Sequence, residues 1–211
     1  GVPLALPALA DARRKGVVLT NDINLFSQQA KAPTIGVTGS NGKTTVTTLV
    51  GFLASQQRPS VRVGGNIGAP SLDLLDDAAS CYVLELSSYQ LELSKQLPLK
   101  VAALLNLSPD HLDRYGYDMQ NYIDSKFRVI QNQTKEDYFI YCADDEIIQK
   151  ELQKRDIKPA LIPFSLNEPA ETGAGIKENR IIINIHLNQF SMSILDLSLH
   201  GKHNTYNSMA A

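Results

Sequence analysis

Residues Gly39-Ser40-Asn41-Gly42-Lys43-Thr44-Thr45 place three chemical capabilities within one turn of chain. The glycines leave backbone N–H groups free to converge on an anion. Lys43 adds a mobile positive charge, and the Thr44 hydroxyl is a ligand type for Mg²⁺. The run before the turn, Thr34–Thr38, is short, apolar and β-branched, so it reads as a buried strand. After the turn, Val46, Leu49, Val50 and Leu53 fall at i, i+3, i+4 and i+7, one face of a helix. A glycine turn that opens a helix exposes unpaired N–H groups at the positive end of the helix dipole, which is a phosphate site. The chain is therefore predicted to bind a nucleoside triphosphate. The loop departs from the usual phosphate-loop pattern, since Val37 stands where that pattern has its first glycine.

Three further polar clusters follow apolar runs. Gly64-Gly65-Asn66-Ile67-Gly68 follows Val61–Val63. Glu85-Leu86-Ser87-Ser88-Tyr89-Gln90 follows Cys81–Leu84. Asn106-Leu107-Ser108-Pro109-Asp110-His111-Leu112-Asp113-Arg114-Tyr115 follows Val101–Leu105. In open parallel sheets, chemistry collects at such carboxyl ends of strands. Glu85 closes an interior strand, where a carboxylate is costly unless paired or bound to a cation. Beside a triphosphate loop, Mg²⁺ is the natural partner. His111 could touch metal or substrate, or be a structural residue of a polar loop. Lys126 shares a helical face with Met119, Tyr122, Ile123 and Ile130. Burial there would lower its pKa, and a neutral amine can take up CO₂ as a carbamate that ligates Mg²⁺. A lysine whose stem packs while its head reaches water fits the same pattern.

The elements that must position these groups alternate. Strands are predicted near 34–38, 61–63, 81–86, 101–106, 138–142 and 160–164. Helices are predicted near 43–55, 69–76, 88–95, 118–132 and 144–154, with Asp118 capping the fourth. The fold class is thus α/β, a mainly parallel sheet with helices on both faces. Arg180–Ile185 and Phe190–Leu197 read as an antiparallel hairpin outside that sheet. Upstream, a short helix around Ala8–Lys15, a strand Val17–Leu19 and a helix Asp22–Ala30 capped by Asp22 are expected. Both ends look cut, with no initiator methionine and with a helix starting near Asn204.

The 211 residues are 43% apolar and 20% charged, with a net charge of −2. That balance gives no electrostatic case for nucleic acid or an anionic membrane. No apolar run spans a bilayer, and no signal peptide is visible. Cys81 and Cys142 lie apart in strand-like runs and suggest reduced, buried thiols in a cytoplasmic protein. A monomer is expected.

The motifs Gly39–Thr44, Gly64–Gly68, Leu84-Glu85-Leu86-Ser87-Ser88-Tyr89-Gln90-Leu91, Asp110–Tyr115 and Gly201-Lys202-His203-Asn204-Thr205-Tyr206-Asn207 occur in an order and spacing that resemble the Mur ligases. These are ATP-dependent amide-forming enzymes of peptidoglycan precursor synthesis. Gly1–Leu4 and Asn21–Phe26 are similar to the family's passage from its first to its central domain. The motif around Glu85, with Gln90 after it, favours the branch that joins D-glutamate to UDP-N-acetylmuramoyl-L-alanine. Tyr89 stands where that branch usually has phenylalanine.

The resemblance implies a phosphate site built from Gly39, Ser40, Asn41, Gly42, Lys43, Thr44 and Thr45, with Asn204 and Asn207 on the adenine side. It implies Mg²⁺ at Thr44, Glu85, His111 and a carbamylated Lys126. Lys43, Glu85, His111 and Lys126 become the catalytic set. Asn66, Ser87, Gln90 and His111 become contacts to the muramoyl-alanine substrate. It implies residues 1–21 as a remnant of the UDP-binding domain, 22–211 as a truncated central ATP domain, no third domain, and little activity on its own. The alternatives are a phosphate-loop module without a ligase role, a sibling Mur ligase, or a folylpolyglutamate ligase.

Overall fold

The computed structural model describes residues 6–185, 187–197 and 201–211. The similarity noted at Gly1–Leu4 lies outside the described residues. The described residues form nine strands: β1 (Thr34–Thr38), β2 (Val61–Gly65), β3 (Cys81–Glu85), β4 (Val101–Leu104), β5 (Tyr138–Cys142), β6 (Ala160–Phe164), β7 (Gly173–Lys177), β8 (Arg180–Ile185) and β9 (Asn188–Ser193). The helices are α1 (Pro7–Arg14), α2 (Asp22–Gln29), α3 (Lys43–Gln57), α4 (Ser88–Leu93), α5 (Met119–Phe127), α6 (Glu146–Lys154) and α7 (Lys202–Ala210).

All nine strands join one sheet, ordered β2-β3-β1-β4-β5-β6-β7-β8-β9. β2 through β6 are parallel to their neighbours. The strand order reverses at β1, so the turn after β1 opens at the topological switch point, where such sheets bind ligands. The interior strands are buried on both faces. Val37, Val83, Leu84, Ala102, Leu104 and Phe139 are all fully enclosed, which is why these runs are apolar rather than alternating. Helices pack against the sheet in two groups, α3 with α7 and α4 with α2 and α5. No helix of the described residues is long and apolar enough to cross a membrane.

The expected α/β alternation is present, and five local expectations change. Val17–Leu19 forms no strand, and Val17 and Val18 lie 54% and 75% exposed. Helix α2 is capped by Asn21, whose side chain accepts from the Asn24 N–H, while Asp22 is its first residue. The 69–76 segment makes only a 3-10 turn at Ser71–Leu74. α3 buries Val46, Thr47 and Gly51 and leaves Leu53 46% exposed. The reason is Gly51, where a Cβ would lie 2.5 Å from Val63, so the helix turns its smallest residue to the sheet. The hairpin is real, but it extends the sheet instead of standing outside it. β8 pairs antiparallel with β7 and β9, and β7 joins β6 through the parallel pair Phe164–Ala174.

Candidate functional site

Each cluster read from the sequence sits at the carboxyl end of a parallel strand. Gly39–Gly42 turns from β1 into α3, with Gly42 as the helix N-cap at φ 83°. A Cβ at Gly42 would also lie 2.5 Å from the Asn207 side-chain oxygen of α7. Lys43 folds back over the loop, its Nζ donating to the carbonyls of Gly39 (3.0 Å) and Ser40 (2.9 Å). Thr45 is half-buried in the first turn of α3.

Glu85 is 2% exposed at the end of β3, beside β1. Thr44 Oγ1 donates to one carboxylate oxygen at 2.7 Å, and Asn66 Nδ2 donates to the other at 2.7 Å. Neither partner is a cation. An enclosed carboxylate held only by neutral donors beside a phosphate-type loop fits a divalent cation. Among the described residues, no three of His, Cys, Asp and Glu come together as a ready cation cage. A cation here would therefore rely on Thr44, Glu85 and oxygens brought by a ligand.

Lys126 does not snorkel. It is 2% exposed, and its Nζ donates to the Gly39 carbonyl at 2.8 Å and lies 3.4 Å from Thr38 Oγ1. Asp118 caps α5 as expected, accepting from the Gln120 N–H. Burial first, and the Lys43 charge second, push the Lys126 amine down to about 7. Lys43 and Lys126 share the Gly39 carbonyl, so two ammonium groups converge beneath the loop. Tyr122, one turn earlier on α5, reaches the same loop, with its hydroxyl 2.9 Å from Ser40 Oγ. Burial raises that phenol to about 12.

His111 stands apart from this cluster. It takes a left-handed backbone at φ 50°, its side chain is 55% exposed, and its ring lies 5.3 Å from that of Tyr89. Tyr89 also packs against Tyr115 and against Arg114, whose guanidinium sits 4.2 Å from the ring centre and pairs with Glu92 at 2.8 Å. Ser87 and Gln90 form a reciprocal capping box at the start of α4, and Gln90 also donates to Asp22. They line a cavity of about 470 Å³ with Asn66, Tyr89 and Arg114. A second cavity of about 630 Å³ opens beside the Gly39–Thr45 loop, lined by Gly42, Asp144, Phe164, Tyr206 and Asn207. Asn204 lies half-buried one turn back on α7. Glu85 is bonded to Thr44 of the loop and to Asn66, which lines the first cavity.

Sequence reasoning missed the contacts that hold the loop from outside. Tyr122, Asn106 and Ser108 all bond to Ser40 or Asn41. The available signal was the position of Asn106 directly after a buried strand adjoining β1.

The model for the Mur ligase middle domain matches residues 37–211. The chain belongs to the Mur ligase family. Among curated relatives of this family, the UDP-N-acetylmuramoylalanine–D-glutamate ligase of Christiangramia forsetii is 42% identical across all of this chain and 48% of its own length. The enzymes of the same name from Bacteroides fragilis and Escherichia coli are 40% and 37% identical, with 48% and 46% of their lengths matched. The chain thus spans about half the length of the curated relatives it matches. Among solved Mur ligases, a MurF ligase from Thermotoga maritima in complex with ADP superposes with a TM-score of 0.62 over 89% of this chain and 46% of that one, at 22% identity. At that identity the likeness speaks for the fold.

Proposed function

We propose that this chain supplies the nucleotide-handling part of an ATP-dependent ligase that joins D-glutamate to UDP-N-acetylmuramoyl-L-alanine. The observation that carries the reading is Glu85, an enclosed carboxylate held by Thr44 of the phosphate loop on one side and by Asn66 on the other. It stands where a nucleotide and a second substrate would meet.

In this reading the loop amides and Lys43 hold the β- and γ-phosphates, while Asn204 and Asn207 face the base. Mg²⁺ would be held by Thr44, Glu85 and oxygens of the ligand, with a carbamate on Lys126 as a further oxygen donor, and would offset charge on the phosphates. Lys126 with its amine near 7 has a neutral fraction at physiological pH, which is the form that adds CO₂ and releases a proton to become a carbamate. Asn66, Ser87, Gln90 and His111 would position the muramoyl-alanine carboxylate. That carboxylate attacks the γ-phosphorus and ADP leaves. The D-glutamate amine then attacks the acyl carbon of the acyl phosphate, losing a proton as phosphate departs. Lys43 steadies charge on the transferring group.

No described residue is assigned to D-glutamate, so the 211 residues alone are proposed to bind nucleotide without useful turnover. A chimera tests the reading. The matched segment of the Christiangramia forsetii ligase is replaced by this chain and supplied with ATP, Mg²⁺, the sugar nucleotide and a panel of amino acids. Mass spectrometry should show a product heavier by one D-glutamate residue. A chimera that binds ATP and yields no such product, or prefers another amino acid, contradicts the assignment.

A further inference from the structure

The loop after β4 grips the phosphate loop at two successive residues. Asn106 faces Asn41 as a reciprocal pair: the Asn41 N–H donates to Asn106 Oδ1 at 2.8 Å, and Asn106 Nδ2 donates to the Asn41 carbonyl at 3.0 Å. The Ser40 N–H donates to the Asn106 carbonyl at 3.0 Å. Ser40 Oγ donates to the Ser108 carbonyl at 3.0 Å and accepts from the Ser108 N–H at 2.9 Å.

This grip is itself anchored. The Leu107 N–H donates to Asp145 Oδ2 at 2.7 Å, and Asp145 caps α6. Gly39 lets the two loops approach, since a Cβ there would lie 3.0 Å from the Leu105 Cβ and 3.4 Å from the Asn106 nitrogen. Asn41 is exposed to solvent, so without Asn106 its peptide units would be free to rotate. A phosphate site made of backbone N–H groups works only if those groups already point at the anion.

We propose that Asn106 is a positioning residue for nucleotide binding: its side-chain amide fixes the Asn41 backbone, and the same loop continues to His111, whose ring packs on Tyr89 of the first cavity. This rests on the phosphate-loop reading above. The loop is thereby a physical link between the two cavities, with Asn106 and Ser108 lining the second and His111 against Tyr89 of the first.

Two readouts on the 211-residue chain test it. Amide hydrogen exchange of Asn41 reports the grip without any ligand, and Asn106→Ala should raise it about tenfold or more. Calorimetry should show Mg-ATP affinity falling about tenfold in Asn106→Ala, with AMP affinity and the melting temperature little changed. A merely structural role would lower all three together. Should Asn106→Ala fold poorly, Asn106→Ser serves, with the same selectivity expected. If Mg-ATP binds the unsubstituted chain, fails to bind Lys43→Ala and binds Asn106→Ala unchanged, the grip has no function and the phosphate-loop reading stands. If Mg-ATP does not bind the unsubstituted chain, both fall.

Discussion

The Thr44 hydroxyl donates to the Glu85 carboxylate at 2.7 Å, although the two residues are 41 positions apart. The contact exists because β1 and β3 are parallel neighbours whose ends finish together, Val37 beside Glu85. A hydroxyl and a carboxylate at that separation can share one cation. Glu85→Gln keeps the shape and removes the charge. We expect nucleotide binding in a chelator to be unaffected and the gain from added Mg²⁺ to drop at least about tenfold, the size of one lost charged contact. A full Mg²⁺ response in Glu85→Gln would place the cation elsewhere.

Lys126 gives a pH signature with a definite sign. Its amine titrates near 10.5 when unfolded and near 7 when folded. Between those values the unfolded chain binds the extra proton, so stability falls as pH drops from about 10.5 to about 7 and is flat below. The limiting slope from this one group is about 1.4 kcal/mol per pH unit. Urea titrations across that window should show a slope that Lys126→Met removes. An identical slope in both proteins would mean that the amine stays protonated when buried.

Gly42 is held at φ 83° with Asn207 against it. Alanine there is expected to cost about 1–2 kcal/mol from backbone strain alone. It would also displace the Asn207 amide from the loop. Thermal unfolding of Gly42→Ala measures the first effect and nucleotide titration the second. Unchanged stability would imply a different loop conformation.

Both cysteines are free and enclosed, 5% and 6% exposed. Burial raises both thiols, Cys142 to about 11. A thiol reagent at pH 8 should leave the folded chain unlabelled and react with both after denaturation. Rapid labelling of the native protein would contradict the packing of β3 and β5.

The legible parts of this molecule were those where chemistry and period agree. The turn from Gly39 to Thr45 lies between a β-branched strand and a helix, so sequence located it. Glu85 stood out as a charge at the end of an apolar run, and Lys126 as a charge on an apolar helix face. What escaped depends on tertiary approach. Asn106 and Ser108 are ordinary loop residues until β4 is set beside β1. β7 carries Gly173 and Gly175, which weaken any strand signal, and Gly175 is needed because a Cβ would lie 2.5 Å from the Pro169 backbone. α3 hid its true face because Gly51, not Leu53, meets the sheet. Family likeness singles out Ser87 and Gln90 as substrate contacts, and what the structure adds is the capping box they form at the start of α4.

The central claim is that Gly39–Thr45 is a working nucleotide site. Isothermal calorimetry of Mg-ATP against this chain and against Lys43→Ala tests it most directly. The expected result is a saturable heat for the unsubstituted chain and at least about tenfold weaker binding for Lys43→Ala, since a charged contact to phosphate is lost. Equal heats from the two proteins, or none from either, would contradict the account.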